Sequence, residues 1–436
     1  MALPTGVDID EGRGGAWESI RAGFATLGRK DWILLWLLGS TLFFDGYDRG
    51  VILVALKQIR ETFGLSQSGA SWYLSALYLG ALLAVPFALR ADRVGRKRLL
   101  IISVVGYTVA TAATAVAPTA ATFTACQFVA RLFLNAEAAI VWTLAAESLP
   151  ARARGVGFGW LQMMNTLGVG FGAIAFGGII HPLGLSWRWM YLLGVPPLLL
   201  IAWLRRWLPE SERFETARRE GLLEKDWRAV FRPPHRKWIA LVLGVGVLMS
   251  LSQQATSFAV DFLQTQRHMD ASTASFMLVA AGIPGIPFMV LAGAASDRYG
   301  RRIVGCALAA LGVIGAVAFF WLPGGPIVLG ICMVVMLLGV LGAGPVLGAY
   351  SAELFATSVR SQAVAWATVA SVGGQALSLA IGGALLAGLG NLSLAVTILG
   401  VGPIVALVII WLRYPDTHGR ELEDVHVPGT DLSGTP

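Results

Sequence analysis

Runs of about twenty apolar residues, separated by short polar loops, recur from one end of this 436-residue chain to the other. Such a run is long enough to cross roughly 30 Å of hydrocarbon as a helix. In hydrocarbon only helices and closed barrels satisfy their own backbone hydrogen bonds, and these runs lack the two-residue alternation of barrel strands. Charged residues make up 14% of the chain, against about 25% in a soluble domain. The expectation is an all-α polytopic membrane protein with twelve transmembrane helices.

Six spans fall near 32–56, 71–89, 99–117, 122–146, 157–180 and 190–207, and six more near 238–263, 274–295, 303–322, 327–352, 363–389 and 394–412. The two sets are copies of one plan. The basic loop Arg90-Ala91-Asp92-Arg93-Val94-Gly95-Arg96-Lys97-Arg98 returns as Ser296-Asp297-Arg298-Tyr299-Gly300-Arg301-Arg302, with Asp297 lying 205 residues after Asp92. Glu147 and Arg154 return as Glu353 and Arg360, with Glu353 lying 206 residues after Glu147. A parallel repeat in a membrane chain points to a transporter whose halves rock about a central site. The expected organisation is an N-terminal segment 1–30, a six-helix bundle 31–207, a linker 208–237, a second bundle 238–413 and a tail 414–436.

Arginine and lysine assign the sides. The loop after the second span, its copy after the eighth and the central linker are basic, whereas the loops near Pro118, Gly325 and Gly390 carry neither residue. The positive-inside rule then puts both termini in the cytoplasm, with the bundle in the plasma (inner) membrane. The net charge of +7 is accounted for by those loops, so no nucleic-acid partner is expected. Residues 1–30 lack the apolar core of a signal peptide. Cys126, Cys306 and Cys332 all sit in apolar runs, which speaks against a disulfide framework.

An ionisable side chain at the centre of a span costs about 2.5–3.5 kcal/mol on insertion scales, so each one is a functional candidate. The first span holds Asp45 and Asp48, three residues apart and on one helix face, with Arg49 placed to pair with Asp45. The fourth span holds Arg131, Asn135 and Glu137. Trp142, Trp160 and Trp366 lie inside spans, where an aromatic lines a cavity or packs in a core. Asp261, late in the seventh span, is a candidate for an outer gate.

These landmarks resemble the major facilitator superfamily. Its loop pattern Gly-x-x-x-Asp-Arg-x-Gly-Arg-Arg/Lys appears as Gly293 to Arg302, and as Ala88 to Lys97 with alanine for the leading glycine. Within it, Gly46-Tyr47-Asp48-Arg49-Gly50-Val51-Ile52, Leu208-Pro209-Glu210-Ser211 and Pro415-Asp416-Thr417-His418-Gly419-Arg420 resemble motifs of the sugar-porter branch. Asp45-Gly46-Tyr47-Asp48 resembles the Asp-Gly-Phe/Tyr-Asp of carboxylate and aromatic-acid proton symporters.

The resemblance implies roles for particular residues. Asp48 would carry the coupling proton with Arg131 as its partner, and Asp45 joins that proton-coupling set. Glu137 stands where the superfamily's fourth span has glycine; it is a candidate second proton site, a contact for a substrate amine or hydroxyl, or a neighbour of Arg49 or Arg131 across a helix interface. Gln162, Asn165, Gln253, Gln254 and Gln375, with Trp142 and Trp366, form the candidate substrate set; amides donate and accept, which suits hydroxyls and carboxylates alike. Asp92, Arg93, Gly95, Arg96, Glu147 and Arg154, and in the second half Asp297, Arg298, Gly300, Arg301, Glu353 and Arg360, would form gating networks at the helix ends. Ser257 and Ala259 replace the Gly-x-Asn that follows Gln-Gln in the sugar branch, and Gly348 breaks the Gly-Pro-x-x-Trp begun at Gly344-Pro345. Those losses weigh against a hexose.

The leading expectation is therefore proton-coupled uptake of a small polar solute, foremost an organic or aromatic carboxylate that Arg131 can meet. A sugar, polyol or cationic metabolite is the alternative. Drug efflux ranks lower, because Gly172 is followed by Ala173 where the efflux branch has proline. A membrane enzyme would need metal or nucleophile clusters, and the five histidines form none. No cofactor is implied. The partners are substrate, protons and the bilayer, and one chain holds both halves of the pathway, so a monomer suffices.

Overall fold

In the computed structural model of this chain, the described residues are 25–89, 96–149, 154–205, 229–233, 235–355 and 357–415. They fold as α1 (Arg29–Phe63), α2 (Gln67–Leu89), α3 (Arg96–Ala115), α4 (Ala120–Ser148), α5 (Arg154–Ala175, ending in a π turn at Phe176–Ile180) and α6 (Arg188–Arg205). A second series follows: α7 (Arg236–Ser250 continuing as Gln253–Thr265), α8 (Ala271–Gly282 continuing as Gly285–Tyr299), α9 (Arg301–Trp321), α10 (Pro326–Glu353), α11 (Thr357–Leu389) and α12 (Leu392–Arg413). Among the described residues, nine of these segments are long and apolar enough to cross a membrane by composition alone. α1 is not one of them; it carries Asp45, Asp48 and Arg49 at mid-length.

Local chemistry sets the ends. Thr119 accepts a hydrogen bond from the Thr122 amide at the start of α4, and Asn391 accepts one from Leu394 at the start of α12. α1 runs past its apolar stretch near residue 56 to Phe63, because backbone hydrogen bonding is indifferent to Lys57, Arg60 and Glu61. Gly64, at φ +64°, stops it by returning its N–H to the carbonyls of Arg60 and Glu61.

α7 is broken at its centre. Ser250 and Ser252 donate their hydroxyls to the carbonyls of Gly246 and Met249, competing with the helix ladder. Ser378 of α11 mends the gap: it donates to the Leu251 carbonyl at 2.6 Å and accepts from the Gln254 amide at 3.2 Å. A neighbouring hydroxyl thus satisfies backbone that hydrocarbon would leave bare.

The two ends of the bundle differ. We call proximal the end where α1 begins and α12 finishes. At the opposite, distal end the halves are stitched together. Arg60 of α1 makes a short ion pair with the Asp261 carboxylate of α7, and Gln67 of α2 donates to the same carboxylate at 2.8 Å. Gln58 donates to Gln264, Ser68 to the Gly383 carbonyl, Ser71 to the Leu379 carbonyl and Ser75 to the Ala376 carbonyl. Toward the proximal end a cavity of about 450 Å³ reaches from Gln253, Thr256 and Gln375 to Ser351 and Phe355.

In the first half the closest helix contact is α1 against α5. A Cβ on Gly46 would stand 1.9 Å from the Asn165 carbonyl oxygen, and one on Gly168 would stand 1.9 Å from that of Phe43. Only glycine allows this approach. Gly168→Ala should therefore destabilise the protein by roughly 1–3 kcal/mol, as overpacking does. Gly170→Ala, with no atom within 4 Å of the added methyl, should not. Thermal unfolding of the two purified variants in detergent compares them directly, and equal midpoints would refute the close-packing account.

Candidate functional site

The glycine contact positions a cluster of charges. With α5 drawn against α1, Asn165 donates its side-chain amide to the Asp45 carboxylate at 2.8 Å and to the Leu42 carbonyl at 3.0 Å. One turn on, Arg49 grips the same Asp45, with Nη2 at 2.8 Å from Oδ2 and Nε at 3.3 Å from Oδ1. From α4, Arg131 sets Nη2 3.0 Å from Asp48 Oδ2 and Nη1 3.8 Å from Asp45 Oδ1. Asn135 donates to the Arg131 carbonyl at 2.8 Å, a bond within one turn of α4.

Two carboxylates and two guanidiniums thus balance at the α1–α4–α5 junction. Asp48 is 1% exposed and, among the described residues, neither of its oxygens finds a hydrogen-bond donor in proper geometry, so the Arg131 contact holds it by charge. Glu137, one and a half turns beyond Arg131 and also buried, accepts from the Thr41 hydroxyl at 2.9 Å. Among the described residues no three His, Cys, Asp or Glu side chains gather as a metal site would need.

The candidate substrate residues divide. Gln162 and Asn165 are half-buried, three apart on α5 beside this cluster. Gln253 and Gln375 line the cavity of the second half. Gln253 also donates to the Tyr78 hydroxyl across the interface at 3.1 Å. Gln254 is fully buried, accepts from Ser71 of the first half, and presses against Gly382; its place is in the seam between halves. Trp142 packs edge-on against Phe158, and Trp366 against Phe231, both in hydrophobic clusters toward the proximal end. Trp160 sits between Trp32 and Trp36.

Of the gating residues, Asp92, Arg93 and Gly95 lie outside the described residues, as do the side chains of Arg96, Glu147, Arg154 and Asp297. In the second half Arg301 Nε meets Glu353 Oε1 at 2.8 Å, tying the start of α9 to the end of α10. Arg360 donates to the Phe355 carbonyl at 3.2 Å, and Arg298 stacks over Tyr299. Gly300 joins α8 to α9 at φ +93°, a conformation that favours glycine. Arg60 and Gln67, the partners of Asp261 at the distal end, carry no mark of that role in the sequence, where they stand about two hundred residues from it.

A sequence profile of the Major Facilitator Superfamily matches residues 38–344 and 242–429. The chain belongs to this superfamily. It is 24% identical to the probable 4-methylmuconolactone transporter of Cupriavidus pinatubonensis, across 91% of this chain and 95% of that one. It is likewise 24% identical to the cis,cis-muconate transport protein of Acinetobacter baylyi, across 88% and 94%. The niacin transporter NiaP of Acinetobacter baylyi is 29% identical over 42% of each chain. Among solved structures, the inward open conformation of the xylose transporter XylE from E. coli superposes with a TM-score of 0.71 at 21% identity, covering 89% of this chain and 97% of that one. This superfamily member is a membrane transporter, not an enzyme.

A buried ion pair is most costly when half of it is removed, roughly 3–5 kcal/mol. Arg131→Met should therefore lower the unfolding midpoint sharply, and adding Asp48→Asn to it should recover most of the loss. If the double variant is no more stable than Arg131→Met, the two residues are not coupled as described.

Proposed function

We propose that this transporter takes up a small organic or aromatic carboxylate together with protons, by alternating access. The observation that carries the reading is the Asp45–Asp48–Arg131 cluster, buried in the middle of α1 and α4. A proton and Arg131 are alternative partners for one buried carboxylate, and a movement that separates α4 from α1 exchanges one for the other. Asp48 is the proton carrier in this scheme and Arg131 its switch partner. Full-length similarity to transporters named for muconolactone and muconate supports an acidic substrate.

With both termini in the cytoplasm, as the basic loops indicate, the stitched distal end faces outward and the arrangement described above is the inward-facing state. Arg301 and Glu353 then belong to a cytoplasmic brace, and the chain works as a monomer in the plasma membrane. A second reading, proton-linked uptake of a sugar or polyol, is favoured by Gln253 and Gln375 on the cavity wall; amides of this kind suit hydroxyls.

Internal pH recorded in proteoliposomes tests both readings. Aromatic and aliphatic carboxylates, sugars and polyols, and organic cations are added as separate pools. Acidification with the carboxylate pool, abolished in Asp48→Asn, is the expected result. Acidification with the sugar pool alone selects the second reading. Solute entry without protons, or an unimpaired Asp48→Asn, overturns the coupling scheme; the same assay on Glu137→Gln reports whether the Thr41-bonded carboxylate carries a proton.

A further inference from the structure

Arg131 is committed: its side chain is 11% exposed and is divided between Asp48 and Asp45. Arg49 is not. Its side chain is 45% exposed, although the Asp45 it holds is 5% exposed. From Leu37 to Arg60 it is the one exposed residue of α1.

The direction of that exposure follows from helical register. Arg60 comes eleven residues after Arg49, about three turns, so the two project from nearly the same face of α1. Arg60 meets Asp261 of the second half, so this face is turned toward the partner half. Ile33 and Trp36, exposed apolar side chains on the proximal stretch of α1, lie sixteen and thirteen residues before Arg49, each more than a third of a turn away in angle. Arg49 therefore faces the space between the halves at a level where they have parted. Across that space, the second half opens the cavity that Ser250, Gln253, Thr256 and Gln375 line.

A guanidinium has five N–H donors. Arg49 uses the Nε–Nη2 side on Asp45, which leaves the end-on pair of Nη donors without a partner among the described residues. That pair matches the two oxygens of a carboxylate. We propose that Arg49 is the specificity-determining residue of the transport site: its free edge receives the substrate carboxylate while Asp45 and Asn165 hold the guanidinium in place. This rests on the carboxylate reading above and names the group that would recognise it.

The test uses the full chain in proteoliposomes, with nicotinate, cis,cis-muconate and gallate as probes and nicotinamide as the neutral counterpart of the first. Half-saturation concentrations are measured for wild type, Arg49→Lys, Arg49→Gln and the double variant Asp45→Asn/Arg49→Gln. A charge-assisted pair of hydrogen bonds lost from the substrate should raise the half-saturation concentration by roughly 10- to 100-fold. The inference expects that rise for the acid probes in Arg49→Gln, a smaller one in Arg49→Lys, and no recovery in the double variant. A static role, in which Arg49 only neutralises Asp45, predicts recovery of wild-type equilibrium binding of the acid probes, a readout that needs no proton coupling through Asp45, in the double variant, since both charges are then gone; that result overturns the inference. So does unchanged acid affinity in Arg49→Gln. Wild-type protein that moves none of the three acids, or moves nicotinamide as well as nicotinate, instead refutes the carboxylate reading, and the inference falls with it.

Discussion

The constraint on which the structure depends is electrical neutrality in hydrocarbon. Asp45, Asp48, Arg49 and Arg131 sit at mid-helix, where each unpaired charge would cost about 2.5–3.5 kcal/mol, and they cancel two against two. The cancellation is geometric before it is energetic. Arg131 reaches across from α4, and Asn165 from α5 supplies the remaining donor to Asp45. Asn165 is within reach only because Gly46 and Gly168 let the two backbones meet. Small residues in a helix contact and charged residues in a site are here one device.

The two halves have diverged in what they contribute. The first supplies the charges. In the second, the corresponding region offers Gln375 of α11, with Ser250, Gln253 and Thr256 of α7, a helix already broken at Leu251 and mended by Ser378, around a cavity. Between them lies a seam held at the distal end. Asp261 is fully buried there and takes both Arg60 and Gln67 from the first half. On the proposed alternating access, opening that end strips one carboxylate of two partners together, which favours two discrete states over a continuum.

The fold was legible because membrane spans announce themselves by length and apolarity, and because the Asp92 loop and its Asp297 copy fix the repeat. The charged cluster was legible for the same physical reason: Asp45, Asp48 and Arg131 stand out against apolar surroundings, and the structure brings the three together. What composition cannot reveal is direction. Gln253 and Gln254 are neighbours in sequence, yet one lines the cavity and the other is sealed in the seam. Trp142 and Trp366 had the look of lining residues, and the helices turn them toward Phe158 and Phe231. Arg60 and Gln67 lie near span ends, where charge is ordinary, and only tertiary structure brings them to a carboxylate about two hundred residues away.

On the proposed mechanism, the distal seam and the proximal opening exchange when the buried carboxylates take up a proton. Pulsed electron-resonance distances test it, in a background lacking Cys126, Cys306 and Cys332, with labels at Glu61 and Gln266 for the distal end and at Ser148 and Tyr299 for the proximal end. Lowering the pH with cis,cis-muconate present should lengthen the first distance and shorten the second in the same sample. If both distances stay fixed, or both move in one sense, the halves do not rock about this cluster and the account is wrong.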